Sequence, residues 1–101
     1  GFPPALLHQQ KELQAIGQKD DLWVVGNDIS RHIYLYYLNR KGWTFHENQL
    51  SPTDLNSMIA NGATYLLSDS RAADTNPELQ PMLDSLILEA GTLRVFVLRK
   101  R

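Results

Sequence analysis

Two short polar turns carry the aspartates that could support catalysis or ligand binding in this chain. The turn at 26–28 reads Gly-Asn-Asp and the turn at 68–70 reads Ser-Asp-Ser, and each follows a short apolar run typical of a buried strand. Ligands of open parallel sheets bind outside the carboxyl ends of the strands, so Asp28 and Asp69 are candidate ligand-binding residues. Aspartate and serine also cap helices and close turns. Without a convergent base, nucleophile or metal, this local role is the favoured one.

An aromatic and cationic run at 34–43 is the second candidate; it reads Tyr-Leu-Tyr-Tyr-Leu-Asn-Arg-Lys-Gly-Trp. Aromatic rings stack on sugars and bases, and cations bind phosphate, so Tyr36, Arg40 and Trp43 are candidate ligand contacts. The alternative is architectural. The other two tyrosines of the run share one helical face, and the cationic pair suits the last turn of a helix. We favour this second interpretation for most of the aromatic residues and for both cations.

The sequence contains no pattern typical of a metal or cofactor site. His8, His32 and His46 lie on three different predicted elements, and the chain has no cysteine. The glycine-rich dinucleotide and phosphate-binding loops and the serine nucleophile elbow are also missing from the sequence. We therefore expect no metal, no cofactor and no catalytic residue in this chain.

Composition indicates one globular domain over residues 1–101. The chain has 43% apolar residues, 21% charged residues and a formal net charge of -1, so nothing points to a nucleic-acid partner. No apolar run reaches the roughly 18–20 residues needed to cross a bilayer. Because Gly1 replaces an initiator methionine, we interpret it as a residue left by a protease at a tag and the chain as a fragment of a longer protein.

Hydrophobic periodicity predicts alternating helices and strands. The best-specified helix has Ser51 as N-cap, Pro52 as its first residue and Asp54 in its first turn. Segment 85–90 is compatible with helix or strand, and we favour strand. The remaining predictions are a helix at 5–18 stopped by Gly17, a strand at 22–25, a helix from 29 or 30 to 41 followed by Gly42, strands at 43–46 and 63–67, a short helix at 77–84 disturbed by Pro81, and a final strand at 92–98.

This order predicts an α/β fold. We expect a small layered sandwich with a mainly parallel sheet of about four strands, a C-terminal antiparallel hairpin and flanking helices. The parallel strands would be joined by right-handed crossovers.

Several of these stretches together resemble a known family, the C-terminal soluble domains of membrane-embedded glycosyltransferases. These enzymes are relatives of protein mannosyltransferases and aminoarabinose transferases and use polyprenyl-phosphate sugars. The likeness covers roughly residues 20–70, with weaker agreement at the closing strand 93–98. The segments that carry it are Val24-Val25-Gly26-Asn27-Asp28, Leu35-Tyr36-Tyr37, Arg40-Lys41-Gly42-Trp43 and Gly62-Ala63-Thr64-Tyr65-Leu66.

The resemblance implies a parent protein with many membrane spans before this domain, which would lie on the extracytoplasmic, periplasmic side of a bacterial inner membrane. In the family, the catalytic acids and lipid-phosphate contacts belong largely to the membrane portion, so no catalytic residue carries over. What carries over is an acceptor- or sugar-facing surface around Tyr36, Arg40 and Trp43.

Three functional hypotheses follow. The first is a non-catalytic domain that serves its parent membrane glycosyltransferase as scaffold, lid or acceptor-recognition module; its partner is the membrane portion of that chain, with glycan or lipid-linked sugar as a further ligand. The second is a free-standing small-ligand-binding or enzymatic domain that uses the loops at Asp28 and Asp69. The third is an interaction module that docks a partner protein through an exposed apolar patch.

Overall fold

A computed structural model describes residues 10–26, 35, 38–45, 50–68, 75–90 and 93–100. These residues form a small α/β domain built on a five-stranded mixed sheet. Leu35 and Leu38, in the connection between the first two strands, are also helical. The elements are α1 (Gln10–Gln14), β1 (Leu22–Gly26), β2 (Lys41–Phe45), α2 (Pro52–Ala60), β3 (Ala63–Ser68), a 3₁₀ turn (Gln80–Met82), β4 (Leu83–Ala90) and β5 (Leu93–Leu98).

The sheet has the strand order β2-β1-β3-β5-β4. Strand β1 runs parallel to both β2 and β3, while β5 is antiparallel to both β3 and β4. The predicted α/β class and the C-terminal hairpin are confirmed. The prediction of a mainly parallel sheet of about four strands fits only in part: three strands are parallel, and the hairpin adds two more to the same, mixed sheet.

The central strands bury side chains on both faces of the sheet. The first face, on the side of Trp23 and Val25, is covered by Leu13 of α1 and by the helical Leu35 and Leu38. Full burial of one such large apolar side chain stabilises the fold by roughly 1.5–3 kcal/mol. The second face carries a cluster formed by Val24, Phe45, Leu50, Leu55, Ile59, Ala63, Leu66, Leu79 and Leu98.

Helix α2, which covers the second face, begins as its sequence predicts. Ser51 is the N-cap, and its side chain accepts a 3.0 Å hydrogen bond from the backbone N–H of Asp54. Pro52 occupies the first turn, where its missing N–H leaves no bond unmade. Leu50 and Leu55 are both buried in the same cluster, as a hydrophobic staple requires.

The start of β2 differs from the prediction. We expected a helix up to Lys41 with Gly42 as its stop, but Asn39 takes a φ of +56° and β2 already begins at Lys41. Gly42 lies inside the strand, opposite Trp23. A Cβ at Gly42 would collide with the carbonyl oxygen of Trp23, so this glycine permits close approach of two strands and does not end a helix.

Two other predicted helices are shorter in the structure. Helix α1 ends at Gln14 rather than 18, and Gly17 turns the chain with a φ of +66°. The predicted helix at 77–84 is reduced to the single 3₁₀ turn around Pro81, after which β4 starts at Leu83. Proline cannot donate to a continuing helix, and pairing with β5 satisfies the backbone that follows.

Substitution Gly42→Ala should destabilise the protein by about 3 kcal/mol or more, because the methyl group meets the backbone of β1 and the residue already has a φ of +151°. Gly62→Ala is the matched control: its φ is also positive at +105°, but the nearest atom is a leucine methyl at 3.4 Å. We expect roughly 1–2 kcal/mol there. Urea unfolding measures both, and equal losses would contradict the close-approach role of Gly42.

Candidate functional site

The two polar turns that the sequence singled out leave the sheet side by side. Gly26, the last residue of β1, is the register partner of Ser68, the last residue of β3. The strand order puts β1 between its two parallel neighbours, so the chain changes winding direction at this point. Such switch points are where open α/β sheets bind ligands. Asp28 and Asp69 themselves lie outside the described residues.

One row of residues crosses all five strands at this carboxyl edge. Each is the direct register partner of the next, so their side chains share the second face. In strand order the residues are Phe45, Gly26, Ser68, Arg94 and Glu89. We call the last four of these, from Gly26 to Glu89, the polar row.

The neighbouring row on the same face is entirely apolar. Its members on the first four strands lie two residues further from the carboxyl edge and belong to the apolar layer under α2, whereas its member on β4, Leu86, is 46% exposed. The polar residues of this face therefore lie at the carboxyl edge of the sheet, which is also the edge with the switch point. In strand order the apolar row consists of Trp43, Val24, Leu66, Phe96 and Leu86.

Arg94 and Glu89 form a close ion pair within the polar row. The Arg94 Nη2 and Glu89 Oε2 atoms are 2.7 Å apart. The arginine side chain is only 12% exposed whereas the glutamate side chain is 50% exposed. Ser68, next to Arg94, is almost completely buried. The row therefore combines a largely buried cation and a buried hydroxyl with a carboxylate that reaches water.

Phe45 closes the β2 side of the row. Its ring lies against Gly26, where any Cβ would overlap the ring carbons. The glycine therefore lets the aromatic ring of the neighbouring strand cross over β1. This contact bounds the polar row on one side and leaves Ser68, Arg94 and Glu89 as its functional groups.

Arg40 takes part in the architecture of the first face. Its Nη2 donates to the Gln14 carbonyl at the end of α1, and its Nη1 donates to the Asn39 carbonyl at 3.0 Å and to the Leu38 carbonyl at 3.4 Å. A cation at helix carboxyl ends also complements the helix dipoles. These contacts favour the architectural interpretation of Arg40 over a phosphate contact.

Trp43 is half-buried and packs against the cluster on the second face. Its position within β2 places it in the apolar row, next to Val24. The ring therefore contributes to the core under α2. Tyr36, the third residue of the proposed aromatic surface, lies outside the described residues, so the structure does not test that surface as a unit.

Arg94 and Glu89 were missed by the sequence reasoning, although one signal pointed to them. Arg94 is the one charged residue in the apolar strand Leu93–Leu98, and antiparallel pairing of β4 with β5 brings Glu89 opposite to it. Charged residues placed directly across antiparallel strands attract each other. The pairing of Glu89 with Arg94 can be predicted from the sequence only after segment 85–90 has been assigned as a strand.

The described residues contain no group of three or more histidine, cysteine, aspartate or glutamate side chains suited to a metal ion. None of the helices in the described ranges combines the length and apolarity that a membrane span requires. Comparison with known proteins found no matching family, curated protein or solved structure.

Replacing Arg40 by methionine should reduce the free energy of unfolding by about 1–3 kcal/mol, because three backbone carbonyls lose a charged donor. Within the described residues Nε of Arg40 is buried without an acceptor, which keeps the loss towards the low end. Lys41→Met, at an exposed neighbour, is the control and should change stability little. Equal stability of the Arg40→Met variant and the wild type in urea would argue against the architectural role.

Proposed function

We propose that this domain is the non-catalytic, extracytoplasmic domain of a membrane glycosyltransferase that uses polyprenyl-phosphate sugars. In this proposal it lies on the periplasmic face of a bacterial inner membrane, and its partner is the membrane portion of its own parent chain. Its role is that of a scaffold or lid, or of a module that contacts the acceptor or the lipid-linked sugar. The sequence resemblance is the observation on which the proposal rests.

The segments that carry the resemblance lie in or next to the three parallel strands of the sheet. The segment 24–26 lies in β1, segment 40–43 leads into β2, and segment 62–66 connects α2 to β3. Such residues specify how three parallel strands and their crossovers fit together. The residues that carry the resemblance thus share one architectural task in the domain.

The contacts of Arg40 and Trp43 favour the scaffold or lid role within this proposal. Arg40 bonds to carbonyls at the ends of two helical segments, and Trp43 belongs to the apolar layer under α2. Side chains committed in this way stabilise the domain's shape. A rigid shape is what a lid or scaffold supplies to the protein that carries it.

The gene that encodes this chain tests the proposal. Upstream of the codon for Phe2 we expect a series of apolar segments of roughly 20 residues each, long enough to span a bilayer. An upstream sequence without such segments would refute the proposal. If they are present, removal of residues 2–101 from the intact parent should lower sugar transfer while leaving the catalytic residues in place.

A second candidate function is the binding of a small ligand at the carboxyl edge of the sheet. It is favoured by the pairing of Gly26 with Ser68 at the switch point and by the polar row that continues from them. Both turns that carry the predicted aspartates begin at this edge. The chemistry available there is recognition through hydrogen bonds and charge.

A panel of neutral and anionic metabolites tests the second candidate on the whole chain. We expect a ligand to shift the amide resonances of Gly26 and Ser68 in a saturable way, while resonances at the start of the parallel strands, such as Leu22 and Ala63, stay in place. Shifts confined to the start of the strands, or no saturable shift with any compound, would reject it.

A further inference from the structure

We propose that the polar row is a binding site for the phosphate group of a small ligand, with Arg94 as the principal contact and Glu89 as an internal carboxylate that the phosphate displaces. This inference rests on the second candidate function and names the chemistry of its ligand.

The geometry of Arg94 suits an oxyanion. Its guanidinium already holds a carboxylate oxygen at 2.7 Å, which shows that an anionic oxygen fits at this point of the sheet edge. A guanidinium presents a planar fork of donors that matches carboxylate and phosphate alike. Because the arginine is largely buried, its charge is less screened than that of a surface residue.

Ser68 extends the site by one strand towards the switch point. The Ser68 side chain shares the face of Arg94 as its direct register partner, and its hydroxyl is a hydrogen-bond donor. Gly26 follows in the row, but the Phe45 ring covers it, so the site ends at Ser68. Phosphate has more acceptor oxygens than a carboxylate, so it can accept from the arginine fork and from a hydroxyl together.

Glu89 can leave the arginine without unfolding the sheet. It lies on β4, the outermost strand, and half of its side chain is exposed to water. A carboxylate that rotates into solvent regains its hydration, which offsets part of the lost ion pair. Without ligand, Arg94 is paired with Glu89. When the ligand binds, its phosphate takes the place of the Glu89 carboxylate at the arginine.

The hairpin itself supplies a matched control. Arg99, the residue that follows β5, and Asp84 of β4 form a second ion pair, at 3.3 Å. Both of these side chains are more than half exposed, and the pair lies at the opposite end of the strands from the polar row. Arg99→Gln therefore removes the same charge just beyond the same strand without touching the site.

Titration with inorganic phosphate at low ionic strength, followed by amide resonances and calorimetry, tests the proposal on the whole chain. Glu89→Gln should bind about tenfold more tightly than wild type, because the competing carboxylate is gone. Arg94→Gln should lose saturable binding, and Arg99→Gln should stay within about twofold of wild type. Circular dichroism checks that each variant is folded. Arg94→Lys, which keeps the charge but not the fork, should bind more weakly than wild type.

Phosphate that saturates neither the wild type nor Glu89→Gln would overturn the inference, as would equal losses in Arg94→Gln and Arg99→Gln. A second titration with vesicles containing phosphatidylglycerol identifies the source: saturation by vesicles as well as by inorganic phosphate assigns the phosphate to a lipid headgroup, and saturation by inorganic phosphate without vesicle binding assigns it to a soluble ligand. If a compound from the metabolite panel shifts Gly26 and Ser68 and binds Arg94→Gln as tightly as wild type, the phosphate inference fails while the second candidate function stands.

Discussion

Burial of β1 on both of its faces is the constraint from which the rest of the fold follows. Trp23, Val24 and Val25 are all fully buried, although successive side chains of a strand point to opposite faces. Each face of the sheet must therefore carry its own layer. The two crossovers provide these layers, because Leu35 and Leu38 of the first pack on one face and α2 of the second packs on the other. The same crossovers give β1 a parallel neighbour on either side.

The first and second parallel strands approach each other closely, and this explains the glycine in the aromatic run. At Gly42 a side chain would enter the backbone of β1, so the Lys-Gly-Trp sequence marks a strand contact. Arg40, just before it, holds the ends of two helical segments. We considered the run at 34–43 as a ligand-binding surface. Its described residues instead join the helical layer to the sheet.

Signals contained within a few neighbouring residues predicted the structure well. The cap at Ser51, the proline after it and the buried pair Leu50 and Leu55 all lie within one turn, and α2 forms as expected. Signals that depend on a residue far away in the sequence did not predict the structure well. The role of Gly42 depends on Trp23, and β4 was ambiguous because its bulges disrupt the apolar alternation that identifies a strand. The polar row was hidden for the same reason, since its members come from separate strands.

The two ion pairs of the C-terminal hairpin differ in their effect on the stability of the fold. Arg99 and Asp84 are both exposed, and such surface pairs contribute little to stability. Arg94 is largely buried, so its desolvation opposes folding, and its ion pair with the half-exposed Glu89 offsets that cost. The fold therefore favours an anionic oxygen next to this arginine, which the proposed phosphate ligand would supply in place of Glu89.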